Sequence, residues 1–253
     1  MLLFSTFIVA LVMTMALIPP LMRTAERFSI VVDIPDERKI HTGAIPRVGG
    51  IAMVIGVILP LLLWLPIDRT LLALLLALVV LLVFGAWDDS RDIDYRLKFL
   101  GQFAAVLIVV FFGGIKFSIF PLAGMEPVND ILSVPVTIIF LVGATNAVNL
   151  SDGLDGLAAG VSLLSLCAIA LLSYMGEGQD ILLICFAVAG AIFGFLRYNT
   201  FPARVFMGDT GSQFLGFMVS VLGVVLTQKS NTALNPALPL FLVGLPIIDT
   251  LFV

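Results

Sequence analysis

The chain has 253 residues, of which 60% are hydrophobic and 12% are charged, with a mean hydropathy of +1.17 and a formal net charge of −4. An ordinary soluble domain is excluded, because soluble domains are about 45–50% apolar. Apolar runs of 17 to 22 residues recur along the chain. Each run is long enough to cross a hydrocarbon core about 30 Å thick as a helix, and none alternates as the strands of a membrane barrel do. The sequence therefore predicts an all-α integral membrane protein.

Nine membrane-spanning helices are predicted in chain order, at about 2–22, 48–66, 70–87, 98–115, 132–149, 157–175, 181–197, 211–228 and 236–253. The first run has no basic residue before it and no cleavage site after it, so it reads as a retained span and not as a signal peptide. Ten Lys and Arg residues fall in the loops on one side and three on the other. The positive-inside rule then places the N-terminus outside and the richer side in the cytoplasm. No repeat or linker divides the chain, which we expect to form one bundle.

The pair Asp88 and Asp89 directly follows the third predicted span, and Asp92 lies one turn later. Neighbouring carboxylates repel each other, so they are expected where a cation neutralises them or where one of them transfers a proton. A solvated acidic helix start is the simpler interpretation of this string taken alone. We expect the pair at the membrane surface.

The stretch 146–160 is polar although it lies between two apolar runs. Amide and carboxylate side chains recur in it every three residues, at Asn146, Asn149, Asp152 and Asp155. This spacing predicts a cluster of oxygen atoms at the mouth of a helix, and Gly153 lets a ligand approach the backbone closely. A helix end followed by a cap would explain one such residue. Four of them at a membrane edge favour a functional site.

Asp209 lies in a third acidic motif, Gly208-Asp209-Thr210-Gly211-Ser212, immediately before an apolar run. A helix cap would explain Asp209 by itself. The glycines also favour a phosphate bound at exposed backbone N–H groups of the helix start. Carboxylate and amide oxygens are ligands that Mg²⁺ prefers, together with phosphates, and Asp209 with an Asn from the stretch 146–160 would supply them.

The first cytoplasmic loop supplies basic side chains. Lys39, His41 and Arg47 are natural ligands for a diphosphate or a lipid head group. Topology signals alone would explain Lys39 and Arg47, but not the one histidine of the chain. Asn199, near the end of the seventh span, is uninformative by itself. Together, acidic groups that bind a divalent cation and basic groups that bind phosphates are predicted on one membrane face, which indicates phosphoryl transfer involving a lipid.

In chain order, these motifs resemble the polyprenyl-phosphate N-acetylhexosamine-1-phosphate transferase family (glycosyltransferase family 4), which has MraY-like and WecA-like members. The resemblance implies a UDP-N-acetylhexosamine donor, undecaprenyl phosphate as acceptor and Mg²⁺, or alternatively Mn²⁺, as cofactor. It also implies a multi-pass protein of the bacterial inner (cytoplasmic) membrane, in contact with membrane lipids, that initiates a cell-envelope polysaccharide. A homodimer is left open, and no nucleic-acid partner is expected.

The resemblance also implies roles for single residues. Asp88 matches the proposed base that deprotonates or orients the attacking lipid phosphate, and Asp89 assists it. Asp209 and Asn149 match metal ligands. The predicted substrate-binding residues, around the uridine or the phosphates, are Lys39, His41, Arg47, Asp92, Asn146, Asp152, Gly153, Asp155 and Asn199.

Within the family, Asp92 resembles the WecA-like branch, which uses simpler donors such as UDP-GlcNAc; an MraY-like phospho-MurNAc-pentapeptide transferase is the alternative. A secondary transporter would place its polar groups nearer the bilayer midplane, and an intramembrane aspartyl protease would need two aspartates facing each other inside the membrane. Family members continue beyond the ninth span into an inner loop with a His-x-His-type motif and further helices. We therefore expect residues 1–253, a single transmembrane catalytic domain, to lack transferase activity alone.

Overall fold

The computed structural model describes residues 1–28, 31–33, 45–119, 129–176, 178–227 and 234–252. In these ranges the regular structure is helical, apart from one short antiparallel ribbon that pairs Val32 with Pro46. The elements are α1 Leu2–Phe28, β1 Val32–Asp33, β2 Ile45–Pro46, α2 Gly49–Trp64, α3 Arg69–Arg91, α4 Tyr95–Leu107 with a π-helical continuation Ile108–Phe112, α5 Asp130–Leu150, α6 Leu157–Met175, α7 Gln179–Asn199, α8 Gly208–Val225, α9 Leu238–Leu242 and α10 Gly244–Phe252.

Six helices are long and apolar enough to cross a membrane, namely α1, α3, α4 with its continuation, α5, α6 and α7. The shorter helix α2 is also apolar. The predicted polytopic all-α membrane fold is therefore confirmed, whereas nine spans and the orientation stay predictions. The ninth predicted run is broken into α9 and α10 around Val243. The hydroxyl of Ser165 in α6 donates to the Leu242 carbonyl at this break, at 2.6 Å. Backbone groups that lose their helical partner within a membrane need such a replacement hydrogen bond.

Helix α8 lies at the centre of the bundle. Its residues from Thr210 to Val224 are all buried, and it packs against α2, α3, α5 and α6. A helix that is apolar along most of its length is expected in the interior of a bundle. The first turn of α8 lies where α3 and α5 end and where α2 and α4 begin. We call this end of the bundle the site end, and the other the opposite end.

Glycines bring the neighbouring helices very close to α8. A Cβ atom on Gly50 of α2 would lie 2.2 Å from the Gly211 nitrogen, and one on Gly85 of α3 would lie 2.6 Å from the Thr210 Cα. Small residues permit such close helix contacts in membrane proteins. As a result, the polar first turn of α8 is enclosed by backbone from two other helices.

Backbone hydrogen bonds join the segment 45–50 to the segment before α8. The Phe206 N–H donates to the Pro46 carbonyl at 2.9 Å, and the Gly49 and Gly50 N–H groups donate to the carbonyls of Phe206 and Met207 at 3.0 and 2.9 Å. Two of the predicted motifs, far apart in the sequence, are thus held side by side at the site end.

Candidate active site

Asp88 and Asp89 lie in the last turn of α3 and are buried, with exposed fractions of 4% and 6%. This corrects the simpler interpretation of a solvated acidic helix start. Oδ1 of Asp88 accepts a hydrogen bond from the Ile93 N–H at 3.1 Å. Its Oδ2 is buried without a hydrogen-bond partner among the described residues. Its neighbour is the ammonium of Lys98 at 3.3 Å, so a ligand that reaches this oxygen competes with an ion pair.

Lys98, in the first turn of α4, lies between two of the aspartates. Its Nζ is 3.3 Å from Oδ2 of Asp88 and 2.5 Å from Oδ1 of Asp209. A single ammonium thus pairs with two carboxylates on different helices. Two carboxylates thus share this one cation in the described contacts, which gives the cluster an excess of negative charge that attracts a further cation.

Asn149, in the last turn of α5, contacts the same carboxylate. Its Nδ2 donates to Oδ1 of Asp209 at 2.5 Å and to the hydroxyl of Ser212 at 2.7 Å. The structure thus brings both predicted metal ligands, Asp209 and Asn149, into direct contact, and it adds Ser212 to the group.

Asp89 accepts hydrogen bonds from the start of α8. Its Oδ1 accepts from the Asp209 N–H at 2.7 Å, and its Oδ2 accepts from the Thr210 N–H at 3.1 Å and from the Thr210 hydroxyl at 2.7 Å. The phosphate site predicted at exposed N–H groups of this helix start is therefore wrong for these two groups. The simpler prediction, that Asp209 caps its own helix, is also wrong, because the capping carboxylate comes from α3.

The stretch 146–160 is helical to Leu150 and again from Leu157, so the regular three-residue spacing of its polar groups does not continue along one helix face. Asp155 instead accepts a hydrogen bond from the Ala203 N–H at 3.0 Å. Asn199 accepts one from the Gly156 N–H at 2.8 Å and donates to the Val205 carbonyl at 2.9 Å. Asp155 and Asn199 therefore tie the loop after α5 to the loop before α8.

Asp152 lies in the loop after α5 and is partly buried. Burial, followed by the charges of Asp209, Asp89 and Asp155, raises the pKa of its carboxyl from 3.8 to about 7. The loop thus adds a titratable acid to the group of carboxylates.

The remaining predicted residues differ in position. Asp92 is the residue that directly follows α3 and caps its C-terminus. It is exposed and has a left-handed φ of 51°. Asn146 is partly buried one turn before Asn149, Gly153 is exposed, and Arg47 follows β2. Lys39 and His41 lie outside the described residues.

Two residues at this site were missed by the sequence interpretation. Lys98 was counted only as a topology signal, although a lysine in the first turn of a helix opposes the helix dipole and needs a carboxylate nearby. Gln102 lies one turn further along α4 and is 1% exposed, and neither polar atom of its side chain has a hydrogen-bond partner among the described residues. A polar residue four positions after Lys98 in an apolar helix was the available signal.

The donor set fits a magnesium ion that also binds phosphates. No group of three His, Cys, Asp or Glu side chains suited to a metal occurs in the described ranges, but magnesium commonly uses one or two carboxylates together with phosphate oxygens and water. Asp209 and Asp88 supply carboxylates at one place. Oδ2 of Asp88 is buried, makes no hydrogen bond among the described residues and already lies 3.3 Å from one cation, the ammonium of Lys98, and this is the observation that favours a cation there.

The fold and these side chains define a polytopic membrane protein with a buried acidic site at one end. Residues 71–227, more than half of the chain, match the family model described as glycosyl transferase family 4. The chain belongs to this family.

Three relatives illustrate the similarity. The chain is 36% identical over 249 residues to a probable undecaprenyl-phosphate N-acetylglucosaminyl 1-phosphate transferase of Bacillus subtilis (strain 168), covering 97% of this chain and 69% of the relative. It is 34% identical over 211 residues to a phospho-N-acetylmuramoyl-pentapeptide-transferase of Wolbachia pipientis wMel, covering 77% and 64%. It is 30% identical over 246 residues to the protein of that name in Listeria monocytogenes serovar 1/2a, covering 89% and 75%.

Proposed function

We propose that this protein, in its full-length form, transfers N-acetylglucosamine 1-phosphate from a UDP-sugar to undecaprenyl phosphate in the bacterial inner membrane. An oxygen of the lipid phosphate forms a bond to the phosphorus that carries the sugar, and the bond from that phosphorus to the UMP oxygen breaks. The products are a lipid-linked diphospho-sugar and UMP.

The observation that carries this proposal is the pairing of Asp88 and Asp209 through the single ammonium of Lys98. Phosphoryl transfer needs positioning and charge neutralisation more than covalent chemistry. Lys98 would lie against phosphate oxygens, and Oδ2 of Asp88, released from its ion pair with Lys98, would orient or deprotonate the lipid phosphate. All of these groups lie at one end of the bundle, where a lipid head group and a nucleotide can meet.

Asp209, with Asn149 next to it, would hold a magnesium ion. Bound there, the ion would neutralise charge on the donor diphosphate. The loop after α5, with Asp152 and Gly153, would form part of the uridine pocket. The hydrogen bonds that Asp155 and Asn199 make with the segment 203–205 and with Gly156 would hold the loop of this pocket in place.

UDP-GlcNAc is the donor we propose, because the B. subtilis relative covers nearly the whole chain at 36% identity. The phospho-N-acetylmuramoyl-pentapeptide-transferases, which match at 34% and 30%, favour a second candidate donor, UDP-N-acetylmuramoyl-pentapeptide.

The test is a transferase assay of the full-length protein with undecaprenyl phosphate, Mg²⁺ and each donor in turn. We expect lipid-linked product and UMP from UDP-GlcNAc, and a loss of turnover in Asp88→Asn and Asp209→Asn. Full turnover in both variants would disprove the proposed site. If product forms with UDP-N-acetylmuramoyl-pentapeptide and not with UDP-GlcNAc, the pentapeptide donor is the substrate.

A further inference from the structure

We propose that Asp89 is a positioning residue that holds the backbone of Asp209 in place and exchanges no proton with a substrate. The proposal rests on the proposed function, in which Asp209 binds the metal. It separates the roles of two adjacent aspartates that the sequence interpretation treated as one catalytic pair.

Among the described residues, the hydrogen bonds of Asp89 all come from one turn of α8. Two backbone N–H groups and one hydroxyl, from Asp209 and Thr210, donate to its two oxygens at 2.7 to 3.1 Å. The first N–H groups of a helix have no partner within the helix and favour a negative charge. The N-cap residue of α8, Met207, makes no side-chain cap hydrogen bond. Asp89 therefore takes the place of a local cap.

The backbone around Asp89 is shaped for this contact. Gly208 has a φ of +67°, and a Cβ atom there would lie 2.4 Å from Oδ1 of Asp89. Gly85, one turn before Asp89, lets α3 approach the Thr210 Cα. Glycine is suited to both positions, because one needs a left-handed backbone and both need close approach. The contact between the end of α3 and the start of α8 therefore depends on three residues, namely Asp89 itself, Gly85 and Gly208.

Asp209 connects this contact to the candidate metal site. Its N–H is held by Asp89, while Oδ1 of its side chain contacts Lys98 and Asn149. A shift in the start of α8 would therefore move the carboxylate away from both partners. Asp88 differs, because its Oδ2 has no hydrogen bond among the described residues and faces Lys98. Of the two neighbours, Asp88 is thus the one available to a substrate.

The experiment compares Asp89→Asn and Thr210→Val in the full-length protein. Thr210→Val removes one donor and keeps the Asp89 carboxylate, so it provides a second variant if Asp89→Asn does not fold. Thr6→Val is the matched control, because this buried threonine donates to its own helix in α1. Three quantities are measured: hydrogen exchange of the backbone amides in 208–212, Mn²⁺ affinity by electron paramagnetic resonance, and the pH profile of turnover.

We expect faster amide exchange in both variants and none of this change in Thr6→Val. The Mn²⁺ dissociation constant should rise about 10-fold or more in Asp89→Asn, as for residues that orient metal ligands, and less in Thr210→Val. Turnover should fall about 10²-fold, the effect of a displacement near 1 Å, without a change in the shape of its pH profile.

Unchanged exchange in both variants would overturn the proposal, whatever the transferase assay shows. Wild-type Mn²⁺ affinity in Asp89→Asn together with abolished turnover would also overturn it and would assign Asp89 to proton transfer. If the wild-type protein has no transferase activity, the proposed function fails, whereas the exchange measurement still decides the capping role of Asp89.

Discussion

The two ends of α4 carry the same pair of residue types in different surroundings. At the site end, Lys98 is 20% exposed and pairs with Asp88 and Asp209, which are 4% and 24% exposed. Beyond the π-helical turn at the opposite end, Lys116 is 31% exposed and pairs with Asp130, which is 73% exposed. Ion pairs at a solvated surface contribute little, whereas charges that are buried together depend on each other. The comparison suggests that charge is functional at the site end and replaceable at the opposite end.

The largest effect is expected from Lys98→Met. Removal of the ammonium leaves two carboxylates on α3 and α8 without their shared partner, so unfolding free energy should fall by about 3 kcal/mol, the low end of the range for breaking a buried pair. Turnover should fall by about 10²–10³-fold, as when a preorganised group that stabilises developing charge is lost. Thermal unfolding in detergent and the transferase assay measure the two effects. Turnover within twofold of wild type would contradict the role of Lys98.

A matched pair of glycines extends the comparison to the backbone. Gly208 at the site end and Gly114 at the opposite end both have a left-handed φ, of +67° and +66°. A Cβ on Gly208 would meet the Asp89 carboxylate, but one on Gly114 would meet nothing within 4 Å. Gly114→Ala should cost only the backbone strain, about 1–2 kcal/mol, and Gly208→Ala about 2–4 kcal/mol because overpacking adds to it. Equal losses of unfolding free energy in Gly208→Ala and Gly114→Ala would show that the site end is packed no more tightly than the opposite end.

The pH dependence of stability tests how far the negative charge extends at the site end. Burial raises the pKa of Asp152 to about 7 from its ordinary 3.8. The folded protein therefore binds a proton that the unfolded chain releases between these values, and stability should fall as pH rises through this window and level off above about pH 7. One such group contributes at most about 1.4 kcal/mol per pH unit. Asp152→Asn should reduce this slope by the contribution of one group when unfolding is measured from about pH 5 to pH 8. A slope identical to wild type would refute the assignment.

The helical membrane fold could be predicted from the sequence because apolar runs and charges are local signals. The clustering of Asp88, Asn149 and Asp209 was also foreseen, since each lies next to a membrane edge on the same predicted side. The role of Asp89 was not, because its partners are backbone groups 120 and 121 residues away. The amino-acid sequence alone does not show which backbone N–H groups at the start of α8 a distant side chain will bind.

Helix boundaries explain the other differences. The apolar pattern ends before α3 does, so Asp88 and Asp89 were placed after the span instead of in its last turn, which reaches Arg91. The run 236–253 is mostly apolar, but Pro246 has no N–H to donate to the Leu242 carbonyl, which instead accepts from the Ser165 hydroxyl. This proline was a local signal for the break at Val243, and hydropathy does not contain it. Long-range packing decides the first case, whereas the second has a local cause in Pro246.

The smallest effect is expected at the opposite end, from Lys116→Met. Lys116 Nζ and the Asp130 carboxylate form a hydrogen-bonded ion pair, but both side chains can be solvated when the pair is broken, so unfolding free energy should change by about 0–1 kcal/mol. Turnover should equal wild type, because the pair lies at the end of the bundle away from Asp88 and Asp209. High salt should weaken this pair by screening, with much less effect on the contacts of Lys98. The measurement is unfolding of wild type, Lys98→Met and Lys116→Met at low and high salt. A loss in Lys116→Met as large as that in Lys98→Met would mean that the two ends of α4 do not differ in the way their burial indicates.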